Sequence, residues 1–240
     1  MFTFRFYGML ALCLLLSLSR ARSADQLSDA EEVRIGEMLA AKEIELEGLQ
    51  SSPQTTRIEK YLQVIVDRVG AHADRKLPYK VHYDPNPGFR SAFGLPGGQI
   101  FIGAGLLAFA DSEDQIAAVL GHEIEHIALN QCRERLLKRL AEEHLSVADA
   151  NELKIEPFLP GYGKENELAA DKHGVLIASA AGYSPQGAVR MLQTLLLMEQ
   201  QMPNTSSEAR ASLENRVALI QQLMLSEHLA TPKETPVRWP

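Results

Sequence analysis

The run Ala117-Ala118-Val119-Leu120-Gly121-His122-Glu123-Ile124-Glu125-His126-Ile127-Ala128-Leu129 sets His-Glu-x-x-His inside an otherwise apolar segment. No other stretch narrows the possible folds so far. Ile116, Val119, Leu120, Ile124, Ile127 and Ala128 recur at helical spacing, which predicts a buried helix. Four residues turn a helix through about 400°, so His122 and His126 stack one turn apart on one face and can hold one metal ion between them. Glu123 lies about 100° round the axis from His122, off the ligand line but within reach of a water on that metal. Histidines and carboxylates inside such a run are costly to bury unless they bind something. The plain alternative is a surface helix that carries two histidines by chance, and the apolar flanks argue against it.

The spacing suits a specific chemistry. A catalytic zinc site takes three protein ligands and leaves a fourth position for water, whose pKa falls to about 7 when bound. Glu123 then reads as the general base: it accepts a proton from the zinc-bound water during attack on a peptide carbonyl and passes it to the leaving amine.

Residues 1–24 carry Arg5, an apolar run from Phe6 to Leu18 and a small, basic end, which reads as a secretory signal peptide. The apolar run is too short to span a bilayer comfortably. Removing it would take away Arg5, Arg20, Arg22 and no acid, moving the formal net charge from −7 to −10; such a chain is a poor partner for nucleic acid. Cys13 would leave as well, so Cys132 would remain with no disulfide partner, and the fold must rely on its core.

Apolar spacing predicts helices over residues 29–49 and 56–73, with Ser51-Ser52-Pro53 between them. Residues 79–83 alternate as a strand and are closed by the Asp84-Pro85-Asn86-Pro87-Gly88 turn. His82 reads as a strand side chain. Residues 91–98 are a glycine-rich lead into a second strand over 99–102, followed by a short helix near 103–109; Asp111-Ser112 offers an N-cap to the motif helix. That helix is expected to run on through the charged stretch 133–139. Pro157, Pro160, Gly161 and Gly163 mark a loop near the site. Two core helices fill residues 182–224, and residues 229–240 read as a disordered tail after a single domain over 25–228.

Two histidines need a third ligand. An extended zinc motif would place Gly at 129 and His at 132, where this chain has Leu129 and Cys132. Without the glycine the helix is not expected to turn back, and Cys132 reads as a packed thiol. The better source is Glu165-Asn166-Glu167-Leu168-Ala169-Ala170-Asp171, opening a helix after the glycine loop. Glu167 and Asp171 share a face; Glu167 is the favoured ligand, and Asp171 can accept the remaining ring N–H of a ligating histidine. Glu165 reads as an acid complementing the helix dipole. His144 and His173 compete with Glu167.

Taken in order, Ser91-Ala92-Phe93, Leu95-Pro96-Gly97-Gly98-Gln99-Ile100-Phe101, Gly105-Leu106-Leu107, Leu120-Gly121-His122-Glu123-Ile124-Glu125-His126 and Glu167-x-x-Ala170-Asp171-x-x-Gly174 resemble the M48 family of zinc metallopeptidases, in its soluble periplasmic branch, from about Glu31 to Gly187. The resemblance implies an α+β, mainly α, gluzincin fold of the zincin type with a small sheet and a central motif helix. It also implies one Zn2+ held by His122, His126 and Glu167, with Glu123 as base. The strand before the motif helix would receive an extended peptide, which points to Gln99, Ile100, Phe101, Ile102 and Gly103. Many members carry a His-Pro pair about six residues before an arginine; Arg216 suits the arginine, but Arg210-Ala211 stands where the pair would be. That leaves a restraint of this kind without its histidine. Arg216, Arg210 and Tyr162 are candidates for steadying the oxyanion.

The reading is thus an exported periplasmic endopeptidase, with extended or unfolded polypeptides, including envelope and outer-membrane proteins, as substrates. No membrane span is expected after the signal. Two other classes stand beside it: a zinc-fold chaperone or binding protein that cleaves little, and a zinc hydrolase of a non-peptide bond. An intact Glu123 favours catalysis.

Overall fold

Two serines start the first two helices. In a computed structural model describing residues 27–153, 161–201 and 207–240, Ser28 caps α1 (Asp29–Leu46) and Ser52 caps α2 (Pro53–Gly70), each accepting the backbone N–H three residues on. Pro53 takes the first helical position, where its missing N–H is no loss, so α2 begins before the predicted residue 56. The predicted signal segment 1–24, and Pro157 and Pro160 of the predicted loop, lie outside the described residues.

Three strands follow: β1 (Lys80–Asp84), β2 (Ala92–Leu95) and β3 (Gln99–Gly103). Their order is β1-β3-β2, with β3 parallel to β1 and antiparallel to β2. This corrects two expectations. Residues 92–95 are a strand rather than a glycine-rich lead-in, and Gln99–Gly103 is the central strand, not an edge. Both sides of β3 already carry ladder partners, so it has none left for a peptide. The edges are β1 and β2; α2 covers the β1 edge, where Val81 and Tyr83 donate to Gln63 and Glu59, and the β2 edge is left facing the cleft.

After α3 (Ala104–Leu107) comes the motif helix α4 (Glu113–Ala128), opened by a capping box between Ser112 and Gln115. Ile116, Leu120, Ile124 and Ile127 of α4 are fully buried with Leu62 and Val66 of α2 and Ile100 and Ile102 of β3. Each such side chain contributes roughly 1.5–3 kcal/mol, and together they fix the rotation of α4 about its axis.

The helix does not continue through residue 139. It ends at Ala128, Asn130 adopts a left-handed conformation at φ 63°, and α5 (Gln131–Glu142) leaves in a new direction. The chain turns back without a glycine because asparagine tolerates this region better than other side-chain-bearing residues. Three further helices complete the fold: α6 (Lys164–Ala180), α7 (Gln186–Gln201) and α8 (Ser207–Ser226), sharing a core of Val175, Val189, Leu192, Ile220 and Leu223.

Helix α6 crosses α4 at a pair of glycines. A Cβ at Gly121 would lie 2.9 Å from the Gly174 carbonyl oxygen, and one at Gly174 would lie 2.8 Å from the His122 nitrogen. Backbone contact at this point brings the acidic first turns of α6 alongside the histidines.

At the C-terminal end of α4, where Arg75 donates to the Ile127 carbonyl at 3.3 Å, lies a knot of charge. Glu32, with no exposed surface, accepts from Arg75 and from Arg133, and also from the Gly97 N–H at 3.0 Å; both arginines also pair with Asp29.

The C-terminal residues depart from the expected disordered tail over 229–240. Glu113 N–H donates to the Thr235 carbonyl at 2.8 Å, Thr235 N–H donates to Asp114 Oδ2 at 2.7 Å, and Glu234 accepts from Ser112 Oγ and from Arg190. Trp239 packs edge-on against Tyr61. No helix among the described residues is long and apolar enough to cross a membrane.

Candidate active site

His122 and His126 face the same side of α4, with their Nε2 atoms 2.9 Å apart. Glu167, one turn into α6, brings Oε2 to 3.4 Å from His122 Nε2 and Oε1 to 3.7 Å from His126 Nε2. Among the described residues these three form a group of potential ligands whose donor atoms all lie within 4.8 Å of one another. His144, in the turn after α5, and His173, further along α6, take no part in it.

Each donor is held from behind. His122 Nδ1 stands 2.9 Å from Asp171 Oδ1. Asp171 in turn accepts two hydrogen bonds from Arg216 on α8, Nε to Oδ2 at 2.6 Å and Nη2 to Oδ1 at 2.8 Å, while Arg216 Nη1 lies 3.5 Å from Glu167 Oε2. His126 Nδ1 lies 2.6 Å from Gln131 Oε1. That acceptor puts the ring proton on Nδ1 and leaves Nε2 free to ligate. Glu167 Oε1 accepts the Tyr162 N–H at 3.1 Å.

Tyr162 stacks on the His126 ring at 4.2 Å between centroids, with the Arg135 guanidinium 3.5 Å from the centroid of its own ring. Its hydroxyl is 3.0 Å from Cys132 Sγ, so the tyrosine pins His126 through its ring. Cys132 is buried, as a packed thiol should be. Of the other oxyanion candidates, Arg216 lines the cleft with its guanidinium committed to carboxylates, whereas Arg210 is exposed and does not line it.

Three carboxylates, Glu123, Glu167 and Asp171, line the cleft with three guanidiniums: Arg216, bonded to Asp171, and Arg90 and Arg135, which lie over the Phe109 and Tyr162 rings. Against the opposing effect of burial, Asp171 and Glu167 raise His122 to about 9. Glu167 is lowered to about 2, again against burial, chiefly by His122. Asp171 is likewise held below its ordinary value by Arg216 and His122. Burial and the neighbouring His122 charge push His126 down to about 4, and burial lifts Glu123 to about 7. A set of two nitrogen donors and one carboxylate, half-buried or buried and gathered within ligand reach, fits one divalent cation.

Glu123 is 7 % exposed, on the same helix but off the donor line, with the Gly94 backbone beside it. It opens onto a cavity of about 280 Å³ that runs between β2 and α7. Residues 90–93 form one wall of that cavity. The Gly94 carbonyl, turned away from β3, accepts from Cys132 Sγ at 3.5 Å. By strand alternation Ala92 points its backbone the same way, into the cleft. Gln99 instead spends its side chain on His82 Nε2 at 2.8 Å inside the sheet. Sequence reasoning missed Gln131 and the β2 edge. Gln131 had one signal, its place five residues after a ligating histidine; β2 had none beyond four residues of weak pattern.

Comparison with known proteins agrees with this geometry. Residues 52–231 match the model of Peptidase family M48. The mitochondrial metalloendopeptidase OMA1 of Schizosaccharomyces pombe is 29 % identical over 160 residues, covering 62 % of this chain and 46 % of that protein. OMA1 of Saccharomyces cerevisiae is 27 % identical over 176 residues, covering 68 % and 47 %. The beta-barrel assembly-enhancing protease of Escherichia coli is 23 % identical over 196 residues, covering 71 % and 38 %. The chain thus spans less than half the length of these relatives. With the family model covering most of its residues and a His-His-Glu donor group beside a buried glutamate, the chain belongs to peptidase family M48, a family of metallopeptidases.

Proposed function

We propose that the chain is a zinc-dependent metalloendopeptidase that cuts extended or unfolded polypeptide, among them envelope and outer-membrane proteins, in the bacterial periplasm. The observation that carries this reading is the His122, His126 and Glu167 donor group, with Glu123 beside it, at the foot of a cleft walled by an open strand edge. Zinc held by these three residues would supply Lewis-acid polarisation of a water and of the scissile carbonyl.

The remaining work falls to the chain's own groups. An extended substrate adds to the β2 edge at Ala92, where backbone pairing holds it without regard to its sequence. Glu123, raised to about 7 by burial, is suited to taking a proton from water near neutral pH and giving it to the departing amine nitrogen. Asp171 and Gln131 fix the two imidazoles, and Arg216 holds Asp171 in place. The periplasmic assignment rests on the signal-like residues 1–24 and on the likeness to the Escherichia coli protease.

The test is bound metal and casein cleavage, measured side by side for the parent and Glu123→Gln. Equal zinc with cleavage only by the parent is the expected result. Equal zinc with cleavage by neither would make the chain a binding protein, and zinc in neither would remove the site.

A further inference from the structure

The rim of the cleft carries a cation that the chemistry of the site does not use. Arg90, two residues before β2, lines the same cavity as the donor group and is exposed. Among the described residues it makes no hydrogen bond or ion pair; its guanidinium lies over the Phe109 ring, 5.7 Å from the centroid. We infer that Arg90 is a specificity-determining residue, and that it gives the enzyme a preference for polypeptide with an aspartate or glutamate within a few residues of the bond that is cut. The inference rests on the peptidase reading above and adds to it the substrate class.

This arginine is held in place. The Gly103 N–H donates to the Ser91 carbonyl at 3.0 Å, which fixes the backbone beside it. A Cβ at Gly105 would come within 2.8 Å of Arg90 Cγ, so the side chain missing there lets the arginine's stem lie against α3. Stacking on Phe109 occupies one face of the guanidinium and leaves its in-plane N–H donors open to a carboxylate. A group ordered in advance loses less freedom when it binds.

Position ties the arginine to the cut. An extended peptide on the β2 edge at Ala92 advances about 3.3 Å per residue, so its residues pass Arg90 two positions along. The whole cavity, donor group included, is about 280 Å³, which keeps that contact within a few residues of Glu123.

Charge decides what the arginine takes. Of the three guanidiniums lining the cleft, Arg216 is bonded to Asp171 and Arg135 is half-buried, 3.5 Å from the centroid of the Tyr162 ring; Arg90 alone is exposed. The carboxylates of the cleft do not answer it: Asp171 and Glu167 face His122 and Arg216, and Glu123 is buried on α4. With neutral imidazoles, three carboxylates and three guanidiniums cancel, and a divalent cation on the donor group would leave the cleft with two positive charges. The chain as a whole has a formal net charge of −7. A positive cleft in an otherwise acidic protein focuses attraction for acidic segments at the site itself.

Quenched fluorescent peptides blocked at both ends, with Asp, Asn or Lys moved one position at a time across the cut, test this. At one such position the parent should cleave the Asp peptide about twofold to fivefold more efficiently than the Asn peptide, the worth of an exposed ion pair, and the Lys peptide least. Arg90→Gln should abolish the Asp-over-Asn ratio. Arg90→Glu should reverse it in favour of Lys, a change of sign that a merely structural role would not produce. No preference for Asp at any position, or a preference that survives Arg90→Gln, would overturn the inference while leaving the peptidase intact. If no peptide is cleaved, the peptidase reading has failed, and binding of the same peptides to the parent and to Arg90→Gln decides. Tighter binding of the Asp peptide by the parent alone supports the inference; equal binding of all the peptides, or a preference both proteins share, overturns it.

Discussion

Two clusters of charge lie beside the motif helix, and they are built to opposite ends. On one side, Asp29 and Glu32 meet Arg75 and Arg133: two acids, two cations, and a Glu32 that also receives a backbone N–H. On the other, Glu123, Glu167 and Asp171 face two imidazoles and one guanidinium bonded to a carboxylate, Arg216, while Arg90 and Arg135 of the same cleft lie over aromatic rings. The first cluster is complete and ties α1, α5 and the segment after α2 together. In the second, three acids and two imidazoles gather around one bonded guanidinium, and they line a cavity. Buried ion pairs are poor evidence for stability in themselves, but two imidazoles and a carboxylate with converging donor atoms are a set that could hold a divalent cation. Paired acids mark scaffold; converging donors mark the place where something binds.

The contrast can be broken most sharply at Glu123. Glu123→Gln should lower kcat by roughly 10²–10⁴-fold, the usual share of a positioned acid–base group, while zinc content by atomic absorption and thermal stability stay near the parent's. The mirror-image change is Glu32→Ala. It leaves both arginines the exposed Asp29 as their only acid and leaves the buried Gly97 N–H without its acceptor, and should cost about 1–3 kcal/mol of unfolding free energy, read by denaturant titration, while zinc per folded molecule does not change. If Glu32→Ala were harmless, the knot would not be the scaffold described here. Adding a chelator should act on the cleft alone. At a free zinc concentration about 1,000 times the dissociation constant the metal adds about 4 kcal/mol, and its removal should lower the melting temperature of the parent and of Glu123→Gln alike.

Gln131→Ala is a smaller test. Freed from its acceptor, His126 can rotate or change tautomer, and zinc affinity should fall about 10–100-fold with the apo fold intact. The smallest effect concerns pH. Glu32 is held below its ordinary value of 4.5 by the two arginines and the Gly97 N–H, against the effect of burial. Its contribution is therefore fully present above that value and is lost as pH falls through the lowered one. Acid unfolding of the parent below about pH 4.5 should accordingly be steeper than that of Glu32→Gln.

What the sequence discloses is what local geometry determines. His122 and His126 are read four residues apart on a helix, and Glu167 and Asp171 likewise, because one turn of helix suffices to place each pair. The features that escaped depend on partners far along the chain. Ala92–Leu95 is a strand because β3 and α4 sandwich it, and its Ala-Phe-Gly-Leu composition gives a weak pattern alone. Pairing on both sides then moved Gln99–Gly103 from the edge to the centre. Residues 234–237 read as a polar, proline-containing tail, yet Asp111, Glu113 and Asp114, more than a hundred positions earlier, supply their hydrogen bonds. Asn130 turned the helix where a glycine was thought necessary.

The glycine contact between α4 and α6 has a consequence for how such sites are recognised and built. The gap between the two donor pairs is set by side chains that are not there. A sequence could keep every donor atom of this centre and yet, with a methyl group at position 121 or 174, hold them a few tenths of an ångström too far apart. Such a chain would be a counterfeit: complete by inventory, wrong by measurement. An engineer copying the centre into another helical pair should transplant the glycines first and the ligands second.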